Sequence, residues 1–163
     1  MQRPMITFKN LLRAQRGEEW APPLMLLAFD PGQTTGWACF CRGELVAVGQ
    51  TSKIDAVEKA LPQLEDVFER IHPTLVIIED YRVYAHKAKA HSWNSLHTPK
   101  LIGAIQALCS LRKIPVVMQM ASSKQFVTDE KLKAWNMHNK GMRHALDAIR
   151  HGCYYLLFDK GAR

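Results

Sequence analysis

Two short apolar runs in this chain end in a carboxylate, and a late helical stretch carries two more polar side chains in register. Residues 24–29 are followed by Asp30, residues 75–78 by Glu79, and His144 and Asp147 lie three residues apart. A carboxylate at the rim of a buried strand is costly to desolvate unless a cation meets it, and such oxygens are the usual donors for Mg²⁺. Three carboxylates and an imidazole suffice for two divalent ions about 4 Å apart, one activating water and the other stabilising a leaving oxygen. Singly, each residue has a bland account: Asp30 before Pro-Gly as a turn former, His144 with Asp147 as a surface pair. Joined in one inferred topology, they favour a shared site over these separate accounts.

The charge pattern names a class of substrate. Residues 81–128 contain no Asp or Glu, yet hold Arg82, Lys87, Lys89, Lys100, Arg112, Lys113 and Lys124 with Tyr81, Tyr84, Trp93 and three histidines. Beside a carboxylate cluster, such a block brings a polyanion to a metal; the alternative is a solvated basic face. Arg82, Lys87, Lys89, Lys100 and Lys124 are the expected phosphate contacts, and Tyr81 and Tyr84 the rings available to stack on opened bases.

Length and composition bound the rest. At 163 residues and net charge +7 the chain is sized for one domain, and residues 1–20 supply only +2 of that charge. Cys39, Cys41, Cys109 and Cys153 show no metal-binding spacing and read as buried, reduced thiols. No apolar run approaches the roughly 20 residues of a membrane span, and the start lacks a signal-peptide core. The expectation is a cytoplasmic protein with no membrane partner.

These residues need elements to position them. Residues 1–23 read as a basic N-terminal arm, mobile or folded as a short docking helix, with Pro22 and Pro23 before the first strand. Residues 24–29, 37–41 and 44–50 form a three-stranded meander with a tight turn at Arg42-Gly43. Ser52 is expected to cap a helix from near Ile54, kinked or restarted at Pro62 and ended by Pro73. Strand 75–78, a helix over about 92–111, strand 115–118, a short helix capped by Ser122 or Ser123, a helical or linking piece at 129–138 and a last helix at 141–158 complete the chain. The order predicts an α/β fold, a mixed five-stranded sheet flanked by helices, with the first and fourth strands adjacent so that Asp30 and Glu79 meet at their carboxyl ends.

The motifs resemble a family. Residues 26–38, LLAFDPGQTTGWA, resemble the first motif of the RuvC-like Holliday junction resolvases of the RNase H-like superfamily; 76–79, VIIE, resemble their second acidic strand; and 143–148, RHALDA, resemble their last helical motif. Asp-Pro-Gly followed by Thr-Gly is the most specific of the three. The resemblance covers residues 24–155, within a nuclease domain expected over 24–160. It implies an RNase H-like fold, Asp30, Glu79, His144 and Asp147 as catalytic metal ligands, two Mg²⁺ per active site with Mn²⁺ as substitute, and paired nicks at four-way DNA junctions in recombination and repair. It also implies a homodimer, with the 92–111 helix in the interface; Gly103 and Ala104 there would allow close approach and Leu101, Ile105 and Leu108 apolar contact. The compact chain and its unrelated arm look most like a phage or mobile-element branch. The competing readings are an RNase H-like nuclease acting on flaps or RNA-containing substrates, and a non-catalytic nucleic-acid-binding module.

Overall fold

The structure, a computed structural model, describes residues 6–81 and 97–159. Five strands form one sheet: β1 (Met25–Asp30), β2 (Gly36–Cys41), β3 (Glu44–Gln50), β4 (Leu75–Asp80) and β5 (Val116–Met120), in the order β3-β2-β1-β4-β5. β1, β2 and β3 pair antiparallel, while β4 and β5 continue parallel to β1. This is the mixed α/β sheet that the order of apolar runs predicts. Arg42 and Gly43, both at positive φ (48° and 82°), make the two-residue hairpin whose twist matches the strands it joins.

Helices cover both faces. α2 (Val57–Ile71) and α3 (His97–Leu111) lie on one, and α5 (Arg143–Phe158) on the other, joined there by α1 (Phe8–Arg16) and α4 (Asp129–Ala134). Successive strand residues point to opposite faces, and the core divides accordingly. Leu26, Ala28, Ala38, Phe40, Leu75 and Ile77 pack under α5, whereas Leu27, Phe29, Trp37, Cys39, Val76 and Ile78 pack under α2 and α3. The same parity carries Asp30, Glu79 and Gln119 to the α5 face.

Residues 8–16 form a docked helix. Thr7 caps it, Phe8 and Leu12 are buried in the α5-side core, and Arg16 donates to the carbonyls of Leu156 (2.7 Å) and Tyr155 (2.9 Å) near the end of α5. Three expectations need correction. Ser52 does not cap α2: its amide and hydroxyl are clasped by the Gln63 side chain (3.0 and 2.7 Å), and the helix starts at Val57 and runs unbroken through Pro62. Ser122 and Ser123 cap nothing, because Ala121–Phe126 is itself a 3₁₀ helix. The α3 stripe expected at a dimer interface is spent inside the chain: Leu101 and Ile105 are fully buried and Leu108 nearly so, against β4 and α2. Of the four cysteines Cys39, Cys109 and Cys153 are buried and Cys41 half-buried; none is in a disulfide, and burial pushes the Cys39 and Cys109 thiols up to about 11. No described helix is long and apolar enough to cross a membrane.

Candidate active site

The site lies at the carboxyl ends of β1 and β4. After Asp30 the chain turns through Pro31-Gly32-Gln33-Thr34-Thr35. The Thr35 hydroxyl donates to the Gly32 carbonyl (3.2 Å), and Thr35 and Thr51 join across β2 and β3, through amide to hydroxyl and amide to carbonyl bonds of 2.9 Å each. This fixes the loop that presents Asp30. Gly36, opposite Asp30 in the β1–β2 register, points to the α5 face; a Cβ there would stand 2.0 Å from the His144 backbone. Only glycine lets α5 begin directly over the strand end. Gln50, at the end of β3, accepts from the amides of His144 (2.9 Å) and Ala145 (3.3 Å), filling the role of the missing side-chain cap.

α5 then delivers a stripe. His144, Asp147 and His151 follow at i, i+3 and i+7 and face the sheet end. His144 Nδ1 lies 3.1 Å from Asp30 Oδ2. Asp147 Oδ2 and Glu79 Oε2 both take the Lys124 ammonium, at 3.1 and 2.9 Å. Arg150 braces the other Asp147 oxygen at 2.7 Å, while its Nε donates to the Val127 carbonyl at 3.1 Å and its remaining nitrogen meets Asp129. His151, fully buried, places Nε2 2.6 Å from Glu79 Oε2 and Nδ1 against Gln119 Oε1.

Two adjacent carboxylates are driven in opposite directions. Burial, reinforced by the charge of Glu79, raises Asp30 from its ordinary 3.8 to about 6, against the His144 hydrogen bond and the Lys124 charge. Burial works to raise Glu79 as well, but hydrogen bonds from His151 and Lys124 outweigh it and hold the carboxyl below its usual range. Lys124 is likewise opposed by burial and kept charged, above its ordinary value, by Glu79 and Asp147. The arrangement is a charged cluster out of bulk water in which, among the described residues, no lysine or arginine bonds Asp30, whose carboxylate meets His144 instead. Three carboxylates are donors suited to a hard divalent ion, and an imidazole beside them to a softer one. Among the described residues no three His, Cys, Asp or Glu side chains are close enough together to hold one as they stand, and the Lys124 ammonium sits between two of them as a stand-in cation.

The structure thus brings Asp30, Glu79, His144 and Asp147 into one cluster. Of the expected phosphate contacts, Lys100 is exposed in the first turn of α3, whereas Lys124 is mostly buried among carboxylates rather than set on a basic face. Tyr81 packs half-buried against the α2–α3 core. Arg82, Tyr84, Lys87 and Lys89 lie outside the described residues. Sequence reading missed His151, Arg150, Gln119 and Gln50. The first two continue the α5 stripe from Asp147, and Gln119 repeats the pattern of an apolar strand ending in a polar side chain, one residue beyond the predicted strand.

No protein-family model matches the sequence, and no curated protein matches it. Solved structures do. RuvC of T. thermophilus in complex with a Holliday junction substrate superposes with TM-score 0.64 at 14% identity, over 83% of this chain and 94% of that one. The yeast mitochondrial Holliday junction resolvase Ydc2 gives TM-score 0.57 at 12% identity, over 91% and 84%. Fowlpox virus resolvase, solved with Holliday junction DNA, gives 0.53 at 15%, over 81% and 96%. Over most of each chain's length this protein shares the fold of these Holliday junction resolvases, an RNase H-like mixed sheet with helices on both faces.

Proposed function

We propose that this chain is a structure-selective, metal-dependent endonuclease that resolves four-way DNA junctions by paired nicks of opposing strands, acting as a homodimer. One observation carries the reading: in a fold shared with junction resolvases, Asp30, Glu79, Asp147 and His144 converge at the carboxyl end of β1 and β4. A bare cluster of carboxylates repels phosphate, so a protein that only bound nucleic acid would gain nothing from it.

Asp30, Glu79 and Asp147 are the residues that would hold Mg²⁺, with His144 at the exposed margin; Mn²⁺, which takes imidazole more readily, is the natural substitute. The donor chemistry fits, and the raised Asp30 pKa marks the carboxylate that gains most from an added cation. When bound, such an ion supplies an activated water and charge stabilisation at the leaving oxygen. The chain's own residues do the rest. Gln50 and Gly36 fix the start of α5 over Asp30, Arg150 sets the Asp147 carboxylate, and Lys124 offers an ammonium beside the scissile phosphate once that phosphate competes for it. His144, 44% exposed and bonded to Asp30, can carry a proton or a ligand bond.

The test is cleavage of a synthetic four-way junction beside duplex, flap and DNA–RNA hybrid controls, with products mapped on every strand and Asp30→Asn as control. Symmetric nicks on opposing strands of the junction alone, absent in Asp30→Asn, are expected. Preferred cutting of the flap or hybrid would replace the substrate, and metal-independent cutting would overturn the mechanism.

A further inference from the structure

Resting on that reading of the site, we infer that His151 is a positioning residue for Glu79, held in turn by Gln119, and that this buried chain sets the affinity of the site for its divalent ion. Glu79 and Gln119 are register partners on β4 and β5, and both reach the α5 face. His151 descends between them from α5, fully buried, with one ring nitrogen on each: Nε2 at 2.6 Å from Glu79 Oε2, Nδ1 on Gln119 Oε1. Gln119 is 5% exposed and its Nε2 finds no partner among the described residues. As oriented, the amide oxygen takes Nδ1–H, and a hydrogen bond to Glu79 then needs a second ring proton, on Nε2. Turned over, the amide would donate to a bare Nδ1, and Nε2–H would still face Glu79. In both orientations Nε2 is the ring atom that meets the carboxylate.

The consequence lies in which oxygen is used. Both His151 and Lys124 meet Oε2, and no described residue hydrogen-bonds Oε1. A carboxylate pinned by one oxygen keeps its plane and offers the other to an ion without losing side-chain freedom on binding. Lys124 is 24% exposed and shared with Asp147, so it can be drawn away; His151 cannot.

The experiment is titration of the DNA-free protein with Mn²⁺ by calorimetry, with folding checked by circular dichroism. His151→Leu is expected to weaken Mn²⁺ binding by about 10–100-fold, the range for losing a residue that orients a ligand. His151→Gln, whose terminal amide puts an N–H near the position of Nε2, is expected to restore affinity to within a few-fold of wild type. A residue that merely filled space would show the reverse order, leucine being the better filler. Gln119→Met leaves His151 in place but unheld and is expected to lose about tenfold, which decides the matter if His151→Leu does not fold. Folded Gln119→Met with wild-type affinity, His151→Leu binding as well as His151→Gln, or a wild type that binds no Mn²⁺ would each overturn the inference. A wild type whose Mn²⁺ affinity depends on His151 as expected but that cuts no junction would instead sink the proposed function alone.

Discussion

The two faces of the sheet are built from alternate residues of the same strands, and they end differently. Toward α2 and α3 the strands are apolar through Phe29, Ile78 and Met118, and on that parity β4 and β5 end one step further, at Asp80 and Met120. Toward α5 the next residue along each strand is Asp30, Glu79 or Gln119, and α5 answers with His144, Asp147 and His151. On the proposed reading one face serves stability and the other chemistry, separated by a single step in the strand register. A slip of one residue in any of these strands would exchange the two roles.

Breaking each face in turn should separate the properties. Glu79→Gln, Asp30→Asn or Asp147→Asn is expected to abolish cleavage in Mg²⁺ while leaving junction binding intact or stronger, since each removes anionic oxygen that repels phosphate. On the other face, Ile105→Ala is expected to destabilise by about 2–5 kcal/mol with per-molecule turnover unchanged. Ile105→Glu, which buries an unpaired carboxylate, should leave no folded protein at all. Denaturant unfolding beside single-turnover cleavage measures both; a folded, active Ile105→Glu would show that α3 faces another molecule rather than its own sheet.

Gly36→Ala attacks the seam between the faces. Its Cβ would fall 2.0 Å from the His144 carbonyl carbon and oxygen, backbone atoms that cannot rotate aside, so α5 must lift. A loss at the upper end of the roughly 1–3 kcal/mol for overpacking is expected, together with reduced cleavage, because Asp30 and His144 separate. Full activity with lowered stability would mean the site tolerates a displaced α5.

What could be read in advance follows the same division. Period-two and period-3.6 patterns show which residues share a face and gave the strands, and the order of the elements gave the meander and the meeting of Asp30 with Glu79 on adjacent strands. They do not show what covers a face: periodicity alone favours a core for the α3 stripe of Leu101, Ile105 and Leu108, the family resemblance suggests a dimer seam, and α2 and β4 packed against it decide for the core. Charge counting has the corresponding blindness. Lys124 counts among the basic residues of 81–128, but its neighbours come from β4 and α5, 45 residues before and 23 after it. Ser52 was legible as a cap by type; the Gln63 side chain, 11 residues on, decided otherwise.

Asp30 and Glu79 sharpen the comparison within the chemical face. A carboxyl raised from 3.8 to about 6 in the folded state holds its proton longer than the unfolded chain does. Stability of the metal-free protein should therefore fall as pH rises from about 4 to about 6 and stay lower above, by at most about 3 kcal/mol at 1.36 kcal/mol per pH unit. Glu79, depressed by His151 and Lys124 despite burial, acts in the other direction, its contribution present above its ordinary value and lost on acidification. Asp30→Asn removes only the first effect and is expected to be more stable than wild type at pH 7, with the gap closing near pH 4. Adding Mg²⁺ should raise the Tm of wild type and not of the variant. An unchanged gap across this range would mean that Asp30 is not the strained carboxylate.

The smallest expected effect concerns two lysines that look alike in the sequence. Lys100 is exposed in the first turn of α3, on the face without chemistry; Lys124 is shared between Glu79 and Asp147. If Lys100 makes a phosphate contact, its release of condensed counterions adds about 0.9 to the log–log slope of junction affinity against salt, and Lys100→Ala should flatten the slope by that amount with turnover unchanged. Lys124 is already neutralised by two carboxylates and so has few counterions to release. Lys124→Ala is expected to leave the salt slope as it is and to lower turnover, through the lost ammonium and the unbalanced repulsion between Glu79 and Asp147. The measurement is junction affinity at four or five salt concentrations beside single-turnover cleavage. Equal slope changes for the two variants would place Lys124 on the DNA-binding surface after all, and the carboxylate cluster would then have to be held together by something other than its lysine.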